Sequence, residues 1–133
     1  MDNGIAPPRL DPEEVLLFRK GVEEFNAGRF FECHEILEDL WHGVRGEARD
    51  FFQGLIQVAV GLYHLDNGNL TGSRNQLEKG LHRLQGYASP YLGIALDEFR
   101  LQATTWLEKV VGGEEIRGRV RDLPKLRFIS SPS

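Results

Sequence analysis

Apolar residues recur at helical spacing along most of the chain, and this pattern predicts a protein built from α-helices. The first apolar stripe consists of Val15, Phe18, Val22 and Phe25. Steps of three and four positions predict a helix that begins after Asp11 and runs to about Ala27. Asp11 can cap this helix, Pro12 suits its first position, and Gly28 can end it in a left-handed conformation.

Three further segments show the same periodicity and are bounded by turn residues. The spacing predicts helices over residues 30–42, 70–86 and 96–111. Asn69 is the expected cap of the second of these, and Gly112 is expected to end the third.

The remaining helical segment, residues 47–65, is apolar round most of its circumference. Its uncharged run from Phe51 through Leu65 is 15 residues long, which is short of the roughly 20 residues of a membrane span. Gly54 and Gly61 each cost roughly 1 kcal/mol of helix propensity relative to alanine. We therefore expect both glycines to allow close approach of a neighbouring backbone, with this helix at the centre of a bundle.

A weak internal repeat with a period of 40 residues relates the two halves of the predicted bundle. The turn before Phe30 aligns with the turn before Leu70, and Leu37-Glu38 aligns with Leu77-Glu78. Helix–turn–helix units of this kind resemble tetratricopeptide hairpins, whose usual period is about 34 residues. The predicted fold is therefore all-α, a compact five-helix bundle of two tetratricopeptide-like hairpins plus a C-terminal helix.

The division of the chain follows from composition and charge. We expect a flexible arm at residues 1–10, the bundle at 11–112 and a basic, mostly irregular tail at 113–133. Residues 1–115 carry 11 basic and 19 acidic side chains, whereas residues 116–133 carry 5 basic and 1 acidic. An acidic body argues against nucleic-acid binding, and the tail could bind an acidic partner, fold back or be solvated. A single cysteine and no visible signal peptide favour the cytoplasm.

Two polar stripes interrupt the apolar pattern. One pairs His34 with Glu38 a helical turn apart, and the other contains Gln53, Gln57 and His64. If these stripes face each other, a polar cluster lies inside an apolar bundle, where its members must be paired or must hold a ligand. The candidate ligand-binding residues are His34, Glu35, Glu38, Trp41, Gln53, Gln57, His64 and Asn69.

The sharpest hypothesis for this cluster is a divalent metal site. His34, Glu38 and His64 are the candidate ligands, with Gln57 able to complete a mixed nitrogen and oxygen set for zinc, manganese or iron. Glu35 could orient one of these ligands or act as a base, which leaves hydrolase chemistry open. No second Glu-x-x-His helix supports a di-iron bundle, and no cofactor is certain.

Two other hypotheses remain open beside the metal site. The cluster could be a structural network in which Glu38 accepts a hydrogen bond from His64 or from Trp41 Nε1. The domain could instead be an interaction module, since tetratricopeptide-like hairpins present a concave face to peptides, and a protein partner or self-association would then follow. Cys33 falls on the core stripe and is expected to be a small buried residue. Whether the protein is an enzyme stays open.

Four motifs together resemble one known family. They are Asn26-x-Gly28-x-Phe30, His34-Glu35-x-x-Glu38-x-x-Trp41, Phe52-Gln53-Gly54-Leu55-Ile56-Gln57 with Tyr63-His64, and Gly68-Asn69-x-x-Gly72. Over about residues 12–111 the chain resembles the family catalogued as domain of unknown function 309. The resemblance implies a small all-helical cytosolic protein, mostly from bacteria and archaea, and it brings no biochemical activity. Ser73 stands where many members have alanine. We therefore expect an uncharacterised helical domain with a binding or scaffold role.

Overall fold

Five α-helices make up the part of the chain that the structure describes. The computed structural model describes residues 9–113 and 123–132. Its helices are α1 (Pro12–Asn26), α2 (Phe30–Gly43), α3 (Glu47–Asp66), α4 (Leu70–Leu84) and α5 (Leu96–Val111). The described residues contain no strand, only isolated bridges that join Ile94 to Tyr91 and to Phe128. The predicted all-α bundle is confirmed, whereas its tetratricopeptide-like detail stays a prediction. None of the described helices is long and apolar enough to cross a membrane.

Local signals fix where the helices begin and end. At the start of α1, the Glu14 N–H donates to Asp11 Oδ1 at 2.8 Å and the Asp11 N–H donates to Glu14 Oε1 at 2.9 Å, so the predicted capping box is present. Gly28 and Gly68 end α1 and α3 with φ of 79° and 75°. These two glycine turns are 40 residues apart, so the internal repeat in the sequence corresponds to a repeated turn.

The longest helix, α3, lies between α2 and α4, as its composition predicted. A Cβ on Gly54 would lie 2.8 Å from Leu84 Cγ, and one on Gly61 would lie 2.8 Å from Leu77 Cγ. A Cβ on Gly80 would lie 2.8 Å from the Gly54 carbonyl oxygen. The glycines therefore let α3 and α4 approach closely, which confirms the role expected of Gly54 and Gly61.

Residues 123–132, here called the C-terminal strap, connect α1 to α5. Asn26 Nδ2 donates to the Leu126 carbonyl and the Leu126 N–H donates to Asn26 Oδ1, each at 2.8 Å. Arg127 bonds both carboxylate oxygens of Glu98 on α5, and this contact lowers the pKa of Glu98. Leu126 is buried. The described part of the basic tail thus folds back onto the acidic body.

The core contains most of the residues expected from the apolar stripes, and one residue of the predicted arm belongs to it as well. Cys33 is fully buried, as expected, and burial raises the pKa of its thiol to about 12. Leu10 also belongs to the core, although it falls in the segment predicted as a flexible arm. The rest of that prediction, residues 1–8, and tail residues 114–122 lie outside the described part of the chain.

Candidate functional site

No described residue outside α2, α3 and α4 covers the side of α3 that lies between α2 and α4, and we call this surface the three-helix face. Both neighbours run antiparallel to α3. Phe31 at the start of α2 contacts Tyr63 at the end of α3, and Asp50 at the start of α3 pairs with Arg83 at the end of α4. The floor of the face is the α3 stripe Gln53, Gln57, Val60 and His64. Its walls are the α2 stripe Phe31, His34, Glu38 and Trp41 and the α4 stripe Gly72, Gln76, Lys79 and Arg83.

Arg83 organises one end of this face. Its Nε donates to Gln57 Oε1 at 3.0 Å, and its Nη1 forms an ion pair with Asp50. Gln57 is buried against α4, so the guanidinium satisfies an amide oxygen that would otherwise lack a partner. Both partners belong to α3, so α3 fixes the position of the Arg83 side chain on the face.

Trp41 and Arg49 form a second fixed cation at the same end. The Arg49 guanidinium carbon lies 4.0 Å from the centroid of the Trp41 ring, within the range of a cation–π contact. Both side chains are half-buried. Within the described residues Arg49 has no carboxylate partner, so its N–H groups remain available to a ligand.

Two adjoining depressions open at this end, which we call the basic end. One of about 610 Å³ is lined by Asp50, Gln57, Lys79, His82 and Arg83. The other, of about 380 Å³, is lined by Trp41, Gly46, Arg49, Asp50, Gln53 and Arg83. The described residues that line them include three cationic side chains and one carboxylate, although the whole chain has a net charge of −4. The basic end is therefore a local reversal of the charge of the protein.

The opposite end of the three-helix face, called the aromatic end, is apolar and partly exposed. Phe31 is 46% exposed and Tyr63 is 39% exposed, and their ring centroids are 5.6 Å apart. His34 extends this cluster, with its ring 5.7 Å from Phe31. His64 lies close by against α4, where a Cβ on Gly72 would be 3.1 Å from its Cδ2.

Six of the eight predicted ligand residues lie on this face, but they do not form the expected interior cluster. His34 Nε2 lies 3.4 Å from Glu38 Oε1, and these side chains are 25% and 48% exposed. The two stripes therefore do not enclose a buried polar cluster, because the side of α3 that carries Gln53 and His64 is left open between α2 and α4. Glu35 is exposed and faces solvent, away from the other candidates.

The predicted partners within the cluster also differ from those observed. In the structural-network hypothesis Glu38 accepts a hydrogen bond from His64 or Trp41, whereas in the structure it pairs with His34 on its own helix. Asn69 caps α4, accepting from the Gly72 N–H at 2.9 Å, as expected from its position. Gln57 does take part in a hydrogen-bonded network, with Arg83 as its donor.

The metal hypothesis gains no support from this arrangement. Among residues 9–113 and 123–132, no three His, Cys, Asp or Glu side chains are grouped so that they could hold a metal ion. A metal site at His34, Glu38 and His64 therefore stays a prediction, as does self-association of the protein.

The cations of the basic end were not among the residues singled out from the sequence. Arg49, Lys79 and Arg83 belong to the exposed sides of their helices, where charged residues are ordinary. A signal was nevertheless present, because Lys79 and Arg83 are one turn apart on α4 and Arg49 is one turn before Gln53. Their convergence depends on the pairing of α3 with α4.

Comparison with known proteins identifies relatives by sequence. A family model described as "Domain of unknown function (DUF309)" matches residues 18–76, a segment that contains all eight predicted ligand residues. An uncharacterized protein of Aquifex aeolicus is 31% identical over 77% of this chain and 30% of its own length. The uncharacterized protein YpuF of Bacillus subtilis is 38% identical over 59% of this chain and 46% of its own length. The chain thus spans less than half of these two relatives.

A solved structure extends the similarity to the fold. The crystal structure of a conserved hypothetical protein from Thermus thermophilus superposes with a TM-score of 0.59 at 32% identity. The match covers 76% of this chain and 99% of that protein. The helical bundle therefore recurs in a relative that has little beyond it.

Proposed function

The chain belongs to the family described as a domain of unknown function (DUF309), and from that premise we propose that it is a protein-binding domain. The proposed ligand is an acidic segment of a partner protein, held along the three-helix face. The observation that carries the proposal is the convergence of Arg49, Lys79 and Arg83 on one open surface of an otherwise acidic chain.

Charge complementarity supports an acidic ligand at the basic end. Among the described residues, Asp50 is the only carboxylate that lines either depression, and it is already paired with Arg83. Arg49 and Lys79 have no carboxylate partner in the described part of the chain. Oppositely charged side chains of a ligand would therefore gain favourable contacts without displacing an internal ion pair.

The form of the two arginines supports carboxylate recognition in particular. A planar guanidinium can bond both oxygens of a carboxylate, and less side-chain freedom is lost when the guanidinium is already held in place. Arg49 is held on the Trp41 ring and Arg83 is held by Gln57. An open surface formed by three helices leaves room for a chain that passes across it.

We also propose a cytoplasmic location, which the single cysteine favours.

Titration with a short glutamate-rich peptide tests this proposal. Trp106 is buried and Trp41 is half-buried beneath Arg49, so tryptophan fluorescence reports mainly on the basic end. We expect saturable binding that weakens as salt is added, because exposed charges are screened. Arg83→Glu and Lys79→Glu should each weaken binding about tenfold, which is about 1.4 kcal/mol.

Lys20→Glu is the matched control for Lys79→Glu. Lys20 is an exposed lysine of α1, outside the three-helix face, and its reversal changes net charge equally. Thermal melting of each variant establishes that it is folded. Equal weakening by both lysine reversals would overturn the proposal, as would absence of binding to the wild type. Equally tight binding of a single-stranded oligonucleotide of the same charge would also overturn it.

A further inference from the structure

The two ends of the three-helix face differ in chemistry, and together they define what kind of segment fits. The basic end offers fixed cations, whereas Phe31 and Tyr63 at the aromatic end expose large apolar rings. Adjacent exposed apolar side chains form a patch, and patches of this kind mark surfaces that contact apolar groups of a ligand. A ligand that spans both ends would contact acid-recognising and apolar surfaces at a fixed separation.

The separation follows from the geometry of α3, which runs beneath both ends. Gln53 lines the basic end and Tyr63 belongs to the aromatic end. Ten residues of α-helix at about 1.5 Å each place these positions about 15 Å apart along the helix axis. An extended peptide advances about 3.3 Å per residue, so about four or five residues cover that distance.

Resting on the proposed function, we propose that this face recognises a composite motif. The motif is an extended acidic cluster followed or preceded, at a distance of about four or five residues, by one large apolar side chain. Arg49 and Arg83 contact the acidic cluster, and Phe31 with Tyr63 contacts the apolar side chain. His34 borders the Phe31 ring and closes one side of that contact.

The residues in the middle of the face fit a ligand that is acidic at one end and apolar at the other. Val60, half-buried on α3, lies between the two ends and offers no charge. Glu38, 48% exposed, lies on the α2 wall and would repel an acidic residue placed over it. We therefore expect the residues between the acidic cluster and the apolar side chain to be uncharged, and a continuous run of acidic residues to bind less tightly than the composite motif.

Binding of three peptides of equal composition tests the spacing. Two carry three glutamates and one phenylalanine at the predicted distance, in the two opposite chain directions, and the third has the phenylalanine adjacent to the glutamates. We expect one of the two spaced peptides to bind at least about tenfold more tightly than the adjacent one. Phe31→Ser should lower the affinity for that peptide to the affinity for the peptide whose phenylalanine is adjacent to the glutamates. Leu101→Ser, a matched change at a side chain 70% exposed on α5, should leave its affinity unchanged.

The outcomes separate this inference from the proposed function. If all three peptides bind equally and Lys79→Glu weakens each of them, the composite motif is wrong and the acidic-segment function stands. If Phe31→Ser and Leu101→Ser have equal effects, the aromatic end is not the apolar contact and the inference is likewise overturned. If none of the peptides binds the wild type, the proposed function fails and the motif fails with it.

Discussion

At the scale of single residues, the approach of α3 to α4 depends on positions where no side chain fits. Gly80 is the most constrained of these. A Cβ there would lie 2.8 Å from the Gly54 carbonyl oxygen and 3.0 Å from the Val58 nitrogen, and both of these are backbone atoms. Neither can move without shifting a helix, so the glycine is required by packing and not by its backbone conformation.

Gly80→Ala should therefore destabilise the protein despite the higher helix propensity of alanine. We expect the free energy of unfolding to fall by about 1–3 kcal/mol, the usual cost of overpacking. Gly43→Ala is the control, because Gly43 is also helical and has nothing within 4 Å of its Cβ position. That change should be neutral or add up to about 1 kcal/mol. Equal effects in urea denaturation would contradict the close packing.

Ser73 provides a second prediction at this scale. Its hydroxyl is fully buried on α4 and has no hydrogen-bond partner among the described residues. Because an unpaired buried hydroxyl costs desolvation energy, Ser73→Ala should raise the free energy of unfolding by about 1 kcal/mol. A loss of stability of similar size in thermal or chemical denaturation would show that the hydroxyl is paired.

The thiol of Cys33 gives a pH-dependent prediction. Burial raises its pKa from 9.0 to about 12 in the folded protein, so only the unfolded chain ionises between these values. Stability contributed by the neutral thiol is therefore present below pH 9 and lost as pH rises towards 12. Wild type should lose up to about 1.4 kcal/mol of unfolding free energy per pH unit more than Cys33→Ala across that range. If the unfolding free energies of wild type and Cys33→Ala change with pH in parallel, the raised pKa of the thiol is contradicted.

At the scale of elements, the bounds of all five helices were predictable to within about two residues. The reason is visible in α1, where Asp11, Glu14 and Gly28 provide strong start and stop signals. The same logic applies to α3 and α4, which are separated by Gly68 and the capping residue Asn69. Caps and glycines act through neighbours in sequence, so local pattern is sufficient to locate them.

The attachment of the C-terminal strap to α1 is the feature that sequence pattern described least well. Its attachment depends on Asn26, which is 100 residues from Leu126 in the chain. A polar side chain at the end of a helix gives no sign of such a distant partner. The basic character of the tail did indicate a return to the acidic body, and the pair of Arg127 with Glu98 is of that kind.

Asn26→Ala should loosen the strap. Loss of two half-buried hydrogen bonds to Leu126 should lower the free energy of unfolding by about 1–3 kcal/mol and speed hydrogen exchange of the Leu126 amide. Asn75→Ala is the matched control, since Asn75 is an exposed asparagine on α4, away from the strap. If the two variants exchange and unfold alike, the strap is not held through Asn26.

At the scale of the whole molecule, the fold was predictable from the sequence and the character of the site was not. Helical periodicity correctly assigned Gln53, Gln57 and His64 to one stripe. How far each of these side chains is exposed depends on which sides of α3 its neighbours cover, and that is a property of the assembled bundle. An almost wholly apolar helix therefore suggested burial on every side, whereas the structure leaves one side open.

The same dependence explains why the basic end was missed. Arg83 is an ordinary charged residue on α4 until α3 places Asp50 and Gln57 beside it. Arg49 likewise gains its orientation only when α2 brings the Trp41 ring beneath it. Sites that are assembled from several helices need the packing of those helices, which no single segment encodes.

The most direct test of the three-helix face as the binding surface is chemical-shift mapping of the isotope-labelled protein with the glutamate-rich peptide. The account predicts that the largest shifts occur at the Trp41 indole, the Arg49 and Arg83 side chains, and the Gln53 and Gln57 amides. Shifts of equal size at Arg19 and Arg127, which are exposed cations elsewhere on the surface, would show general attraction to charge. Shifts confined to those positions, or none at all, would contradict the account.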